Sequence, residues 1–178
     1  MKEHVESSLN NLGLSQLFLE QLHCIPTEQL RSGKVFENLR KLQDEKLIIS
    51  WGASVETTEE ALICLEQEGL ASLQIIFNLF RQHIADEIFV KAKEKDIALI
   101  IRVSFASGLL TGRFNKETKF PSTDHRNFNA NGEAFNAGET FSGIEFLRGL
   151  TLSKEIVSFL LMNECHSGPY AGYWIIPK

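Results

Sequence analysis

Four polar side chains stand at or just past the ends of apolar runs in the sequence: His23, Ser54, Gln74 and Arg102. Their imidazole, hydroxyl, amide and guanidinium groups can all donate hydrogen bonds to a bound molecule. A lone histidine at the end of a strand is more often structural than functional. Its meaning here depends on whether the fold brings the other three side chains to the same place.

The apolar runs predict four strands, at residues 17–22, 47–52, 72–77 and 97–103. Amphipathic stretches between them predict helices, and β-then-α units of roughly 25 to 30 residues are typical of a parallel sheet covered by helices. Such a sheet either curls into a barrel or lies open and doubly wound. In both cases the carboxyl ends of the strands are where chemistry is done, so we expect the four side chains there.

Local patterns set the bounds of the helices. Gly13 is expected to end a first helix over residues 4–12 as a C-cap, and Thr57 or Thr58 to cap the helix before Ala61. Residues 103–143 are rich in Gly, Asn, Phe and Thr and predict a long loop. A helix over 144–162 and a short terminal strand over 174–176 are expected to follow, all within one domain of 178 residues.

The composition of the chain argues against nucleic-acid binding, a membrane span and a cysteine metal site. The chain is 43% hydrophobic with a net charge of −5, and no Lys/Arg cluster indicates nucleic acid as a partner. No apolar run approaches the roughly 18 residues of a membrane span. Cys24, Cys64 and Cys165 are scattered without metal spacing, which favours free thiols in a reducing, cytoplasmic location. Cys24 could be a nucleophile, although nothing near it resembles an orienting acid.

Four segments occur in the order and spacing of a known family. They are Phe-Leu-Glu-Gln-Leu-His (18–23), Trp-Gly-Ala-Ser (51–54), Leu-Gln-Ile-Ile-Phe-Asn-Leu-Phe (73–80) and Ala-Ser-Gly-Leu-Leu-Thr-Gly (106–112). In these segments the chain resembles the aldo-keto reductases, which are NADP(H)-dependent oxidoreductases on a TIM barrel. The resemblance implies an α/β fold, here a partial (β/α) TIM-like barrel with parallel strands and outer helices.

The resemblance also implies roles for individual residues. His23 matches the catalytic histidine that orients and polarises the substrate carbonyl. Ser54 and Gln74 match residues that bind the nicotinamide carboxamide, and Arg102 stands where many members stack an aromatic ring on the nicotinamide. The loop that passes the cofactor pyrophosphate is matched by Ser107, Gly108, Leu110 and Gly112. Each has a structural alternative, since Gln74 could bond the end of its own strand and the glycines could simply be turn residues.

The departures from the family are serious. Relative to the family, the resemblance covers only the second half of the barrel, and about 250 residues are typical of a complete one. No residue matches the family's catalytic tyrosine, lysine or aspartate, and the chain is expected to be truncated at both ends. Its tyrosines, Tyr170 and Tyr173, lie in the tail. Phe18 stands where an acid is common, and Val55 where an asparagine commonly follows the serine.

Two functions remain open on this basis. One is NADPH-dependent reduction of aldehydes or ketones, with a small carbonyl substrate and incomplete catalytic machinery in this chain. The other is a non-catalytic half-barrel that serves as a binding or assembly module. Open sheet edges invite pairing with another chain, which suggests a homodimer.

Overall fold

The computed structural model describes residues 1–129 and 140–162, and the side chains as far as residue 159. The predicted strand over 174–176 and both tyrosines lie outside these residues. The strands are β1 (Leu17–His23), β2 (Ile48–Ser54), β3 (Leu70–Ile76) and β4 (Ala98–Arg102). The helices are α1 (Lys2–Leu12), α2 (Thr27–Ser32), α3 (Lys34–Asp44), α4 (Thr58–Leu65), α5 (Val90–Glu94), α6 (His125–Phe128) and α7 (Phe146–Met162).

The four strands form one parallel sheet in the order β1-β2-β3-β4, which confirms the predicted fold class. The first three strands pair in a parallel register that aligns Gln21 with Gly52 and Gly52 with Ser72. A register shift between Trp51 and Gly52 interrupts the pairing of β2 with β3. The sheet is not closed within the described residues, as expected of a partial barrel.

The contacts of the chain divide it into two compact units. The first comprises Met1–Ile75 and Ile84–Ile100, and the second comprises Ile76–His83 together with the chain from Ile101 onward. In the first unit, Trp51 is fully buried and packs against Phe36 of α3 with ring centroids 5.6 Å apart. Leu39 and Leu73 are equally buried, and each such side chain contributes about 1.5–3 kcal/mol through its removal from water.

Two predicted helix ends have their expected local geometry. Gly13 ends α1 in the left-handed region at φ 66°, where glycine carries no Cβ penalty. Thr57, one of the two predicted caps, accepts a hydrogen bond from the backbone N–H of Glu60. The carboxylate of Glu60 accepts in return from the backbone N–H of Thr57, which completes a capping box at the start of α4.

Other segments differ from the sequence prediction. Residues 27–32 form a separate helix, α2, which no sequence pattern predicted. The helix before β4 starts with a π-helical turn, Ala85–Phe89, and continues as α5. The long loop predicted over 103–143 contains 3₁₀ turns at Ala106–Thr111 and Thr140–Gly143 as well as α6. Side-chain hydrogen bonds and aromatic packing organise this segment, and neither leaves a periodic pattern in the sequence.

The second unit has an apolar core of its own. Its buried members come from both 3₁₀ turns and from α7: Ala106, Leu109, Leu110, Phe141 and Leu150. Phe114, Phe120 and Phe146 pack against this cluster, and together with Phe141 they form aromatic pairs with ring centroids 5.2–6.1 Å apart. Aromatic pairs at such distances add to the stabilisation from burial. No helix of the described residues has the length and apolar character needed to cross a membrane.

Candidate functional site

His23, Ser54 and Gln74 form one row across the ends of β1, β2 and β3. The strand register pairs His23 with Ser54 and Ser54 with Gln74. Paired residues of parallel strands project to the same face of a sheet. These three side chains, predicted from the sequence, therefore stand side by side at the carboxyl edge of the first unit.

Two backbone hydrogen bonds extend the pairing just beyond this row. The N–H of Cys24 donates to the carbonyl of Ser54 at 2.9 Å, and the N–H of Val55 donates to the carbonyl of Gln74 at 3.0 Å. The loops that leave β1 and β2 are thus tied to the neighbouring strand. The positions of the three side chains follow from the sheet itself and do not depend on a mobile loop.

The members of the row differ in their accessibility. The His23 side chain is exposed, Gln74 is partly buried, and Ser54 is only 3% exposed. Cys24 Sγ lies 3.8 Å from Ser54 Oγ, which places the thiol beside the row. An exposed imidazole next to a sheltered hydroxyl and an amide can present donors to a polar ligand that covers the edge of the sheet.

The row beneath the site is also polar. Gln21 Nε2 donates to Ser72 Oγ at 3.0 Å and bridges β1 to β3. Gly52 lies between them, and a Cβ there would stand 2.2 Å from Ser72 Oγ and 2.8 Å from Gln21 Oε1. The glycine therefore leaves the space through which the bridge passes. This bridge could not be predicted from the sequence, because only the strand register shows that Gln21 and Ser72 can meet.

The remaining predicted residues belong to the second unit. Arg102 is the last residue of β4 and is partly buried. Ser107 and Gly108 have positive φ angles of 55° and 102° inside the turn Ala106–Thr111, and Gly112 ends it at φ 68°. Leu110 is 4% exposed within the apolar cluster, and its N–H donates to the carbonyl of Phe105 at 3.2 Å. The cofactor roles given to these residues by resemblance stay predictions.

Arg126 lies beside this turn and was not predicted from the sequence. Its Nη1 atom stands 3.7 Å from the point where a Cβ on Gly108 would lie. The guanidinium covers the Phe120 ring at 4.5 Å and donates from Nε and Nη2 to Asp124 at 2.9 and 2.6 Å. These hydrogen bonds hold the pKa of the Asp124 carboxyl well below its usual range.

The ion pair leaves one edge of Arg126 for another partner. Its Nη1 atom makes no hydrogen bond within the described part of the chain. A guanidinium held flat in this way is preorganised to bind an anion. The spacing Asp124-x-Arg126, with phenylalanines at 114 and 120, is the only sequence pattern that could have indicated this arrangement.

Three comparisons with known proteins bear on the site. The model of the Aldo/keto reductase family matches residues 1–176. The aldo-keto reductase YhdN of Bacillus subtilis is 29% identical over 125 residues, which cover 70% of this chain and 38% of that protein. The glycerol dehydrogenase AKR11B4 of Gluconobacter oxydans superposes with a TM-score of 0.72 at 26% identity, over 98% of this chain and 50% of that one.

A more distant structure shows the same fold. An aldo/keto reductase from Klebsiella pneumoniae, determined with NADP and acetate, has a TM-score of 0.53 at 18% identity and covers 86% of this chain and 58% of its own. The chain thus spans about half the length of AKR11B4 and a smaller part of YhdN. Among residues 1–129 and 140–162, no group of three or more His, Cys, Asp or Glu side chains is arranged to hold a metal ion.

Proposed function

Since the chain belongs to the aldo/keto reductase family, we propose that it forms the part of a reductase barrel that holds the nicotinamide of NADP(H) and orients an aldehyde or ketone. The observation that carries the proposal is the row His23, Ser54 and Gln74 on one face of the sheet. Its three side chains come from three strands and meet at the edge where parallel barrels carry their active sites.

The donor set fits a nicotinamide. A carboxamide has one acceptor oxygen and two donor hydrogens, and the Gln74 amide together with the Ser54 hydroxyl can satisfy both kinds of group. Ser54 is held by its position in β2 and by burial, so little freedom is lost on binding. The cofactor, when bound, supplies the hydride that reduces a carbonyl carbon.

His23 then has the role of a hydrogen-bond donor. A carbonyl oxygen gains negative charge during its reduction, and an N–H donated by His23 would stabilise that charge. The exposed imidazole at the end of β1 is accessible to a substrate for this purpose. Removal of such a donor typically costs about 10²–10³ in kcat.

In the second unit, the turn Ala106–Thr111 and Arg126 would hold phosphate groups of the cofactor. Glycine at position 108 lets the backbone turn at φ 102°, and the Arg126 guanidinium supplies positive charge beside it. The charge-assisted hydrogen bonds of a guanidinium to phosphate are among the stronger ones in proteins. Arg102 is assigned to the nicotinamide end by resemblance alone.

Among residues 1–178, none matches the residue that delivers the proton in the family. Reduction of a carbonyl needs an acid for the alkoxide, and the family's tyrosine has no counterpart in this sequence. We therefore expect a polypeptide of these 178 residues to bind NADPH weakly. We do not expect it to reduce aldehydes at a measurable rate.

Fluorescence titration with NADPH tests the proposal. The wild-type polypeptide should change the fluorescence of NADPH with weak saturation, Gln74→Ala should weaken binding about tenfold, and Gln29→Ala on exposed α2 should leave it unchanged. Equal behaviour of both variants would contradict the assigned role of Gln74. Steady-state reduction of a reactive aldehyde that is abolished by His23→Ala would contradict the expectation of inactivity and mean that a proton donor is present.

An assembly role is the second candidate, and one observation favours it. Within the described residues β1 is an edge strand paired only with β2, and its Phe18 side chain is 76% exposed. An exposed edge with a large apolar side chain favours pairing with another strand. Sedimentation of the 178-residue polypeptide would show a dimer that Phe18→Lys weakens if two copies pair through β1. A monomer at all concentrations would contradict this role.

A further inference from the structure

Asn78 lies at the centre of the second unit, just after β3, and its side chain is almost fully buried, with 1% exposure. Its Nδ2 atom donates to the carbonyl of Val103 at 3.0 Å and to Ser142 Oγ at 2.7 Å. Its Oδ1 atom accepts from the N–H of Phe80 at 2.9 Å. Because Val103 offers only an acceptor and Phe80 only a donor, these partners fix the orientation of the amide.

Both Nδ2 partners lie in strained backbone. Val103 has a φ of 57°, which is an outlier for a β-branched residue, and Phe141 and Ser142 have φ values of 55° and 59°. A residue held in this region is strained and persists only where its surroundings impose the conformation. The Asn78 amide supplies a hydrogen bond at both places.

The Val103 carbonyl links Asn78 to the predicted phosphate loop, residues 106–112. This oxygen also accepts from the N–H of Ala106 at 2.9 Å, so both of its lone pairs are used. The next turn begins two residues later. Its first acceptor is the carbonyl of Phe105, to which the N–H groups of Gly108 and Leu110 donate at 3.0 and 3.2 Å. The path of the loop thus begins at a carbonyl that Asn78 holds.

We propose that Asn78 is a positioning residue that sets the backbone of the 106–112 loop, by holding Val103 in the left-handed conformation and coupling it to the Phe141–Ser142 turn. The part of the proposal that concerns cofactor phosphate rests on the proposed function. The coupling between the two strained segments rests on the hydrogen bonds alone. The coupling and the cofactor role can therefore be refuted separately.

Hydrogen exchange measured by mass spectrometry tests the coupling without a ligand. Asn78→Asp keeps the acceptor for Phe80 and removes both Nδ2 hydrogen bonds. We expect at least tenfold faster exchange in peptides that cover 103–112 and 140–146, and no change in the peptide of 48–54, which belongs to the first unit. A uniform increase that includes 48–54 would show general destabilisation and overturn the proposal.

A rescue variant separates positioning from simple packing. Glycine takes positive φ without strain. Val103→Gly in the Asn78→Asp background should therefore recover at least half of the lost protection, on a logarithmic scale, in residues 103–112. It should recover none in residues 140–146. No recovery in 103–112 would overturn the proposal. If Asn78→Asp does not fold, Ser142→Ala decides: exchange should rise in both segments, and a rise confined to 140–146 would refute the coupling.

The link to the cofactor needs one further measurement, with NADP⁺ as the probe. Asn78→Asp should weaken NADP⁺ binding by at least fivefold, and the Val103→Gly rescue should restore part of it. Unchanged affinity together with faster exchange would refute the role of Asn78 toward the ligand. Failure of the wild-type chain to bind NADP⁺ would refute the proposed function, while the exchange result would still decide the coupling.

Discussion

The side-chain amide of Gln21 reaches Ser72 Oγ from the opposite side of β2, with 3.0 Å between Nε2 and Oγ, directly beneath the row His23, Ser54 and Gln74. The two residues belong to strands that do not pair with each other. Their hydrogen bond passes over Gly52 and ties three strands together one layer below the candidate site. The separation of the strands at the site therefore depends on a position that has no side chain.

Replacement of Gly52 tests this relationship. A Cβ at this position would meet Ser72 Oγ at 2.2 Å and the Ser72 carbonyl oxygen at 2.7 Å, so something must shift. We expect Gly52→Ala to lower the free energy of unfolding by about 1–3 kcal/mol in urea denaturation, as overpacking usually does. Ser50→Ala on the same strand is the matched control and should change stability by less. Equal stability of the two variants would show that the space over Gly52 is not needed.

Glu60 gives a prediction about pH. Burial alone would raise the pKa of its carboxyl, but hydrogen bonds from the N–H of Glu56, the Thr27 hydroxyl and Thr57 outweigh burial, so the pKa is lowered. A carboxyl with a lowered folded-state pKa adds stability above its unfolded pKa, and this stability is lost as the pH falls through the folded value.

The stability difference between wild type and Glu60→Gln should therefore be present at pH 7 and shrink as the pH falls below about 4.5, the ordinary value for glutamate. Urea denaturation across this range measures it. Glu59→Gln, which leaves the capping box intact, is the control. A difference that stays constant down to pH 3 would contradict the assigned hydrogen bonds.

The two described cysteines should differ in reactivity. Burial raises the pKa of the Cys64 thiol to about 12, whereas Cys24 is partly exposed at the end of β1. Because the thiolate is the reactive form, iodoacetamide at pH 8 should label Cys24 and spare Cys64 in the folded chain. Peptide mass spectrometry distinguishes the sites, and both should react in denaturant. Fast labelling of native Cys64 would show that the α4 side of the first unit opens easily.

Arg126 should contribute to cofactor affinity through charge. Since a hydrogen bond to a charged group contributes about 1.5–3 kcal/mol, Arg126→Gln should weaken NADP⁺ binding roughly tenfold or more. Arg148→Gln, an exposed arginine on α7 of the same unit, should have little effect. The loss in Arg126→Gln should diminish as salt is added, because charge interactions are screened. An equal effect of the two variants would argue against a specific phosphate contact.

The sequence predicted the features that depend on short-range patterns. Apolar runs located four parallel strands in the observed order, and Gly13 and Thr57 marked helix ends correctly. The row His23, Ser54 and Gln74 followed from the strand ends, since parallel strands place their carboxyl ends at one edge. In these cases the residue type that a short sequence pattern favours is also the one that the folded structure uses at that position.

The missed features depend on pairs that are distant in the chain. Asn78 contacts Val103 and Ser142, which are 25 and 64 residues away, and Gln21 contacts Ser72 across 51 residues. An amide gives no periodic pattern that would reveal its partners. The Asp124–Arg126 pair is close in sequence, but its importance comes from the Phe120 ring and Gly108, which the chain brings there by folding.

We propose above all that this chain holds the nicotinamide end of the cofactor at the row of His23, Ser54 and Gln74. Saturation-transfer NMR with NADP⁺ tests it most directly, because the nicotinamide and adenine protons of the ligand are resolved separately. We predict saturation of the nicotinamide protons by the wild-type chain, loss of most of it in Gln74→Ala, and no loss in the Gln29→Ala control. Saturation of the adenine protons alone, or of neither ring, would contradict the account.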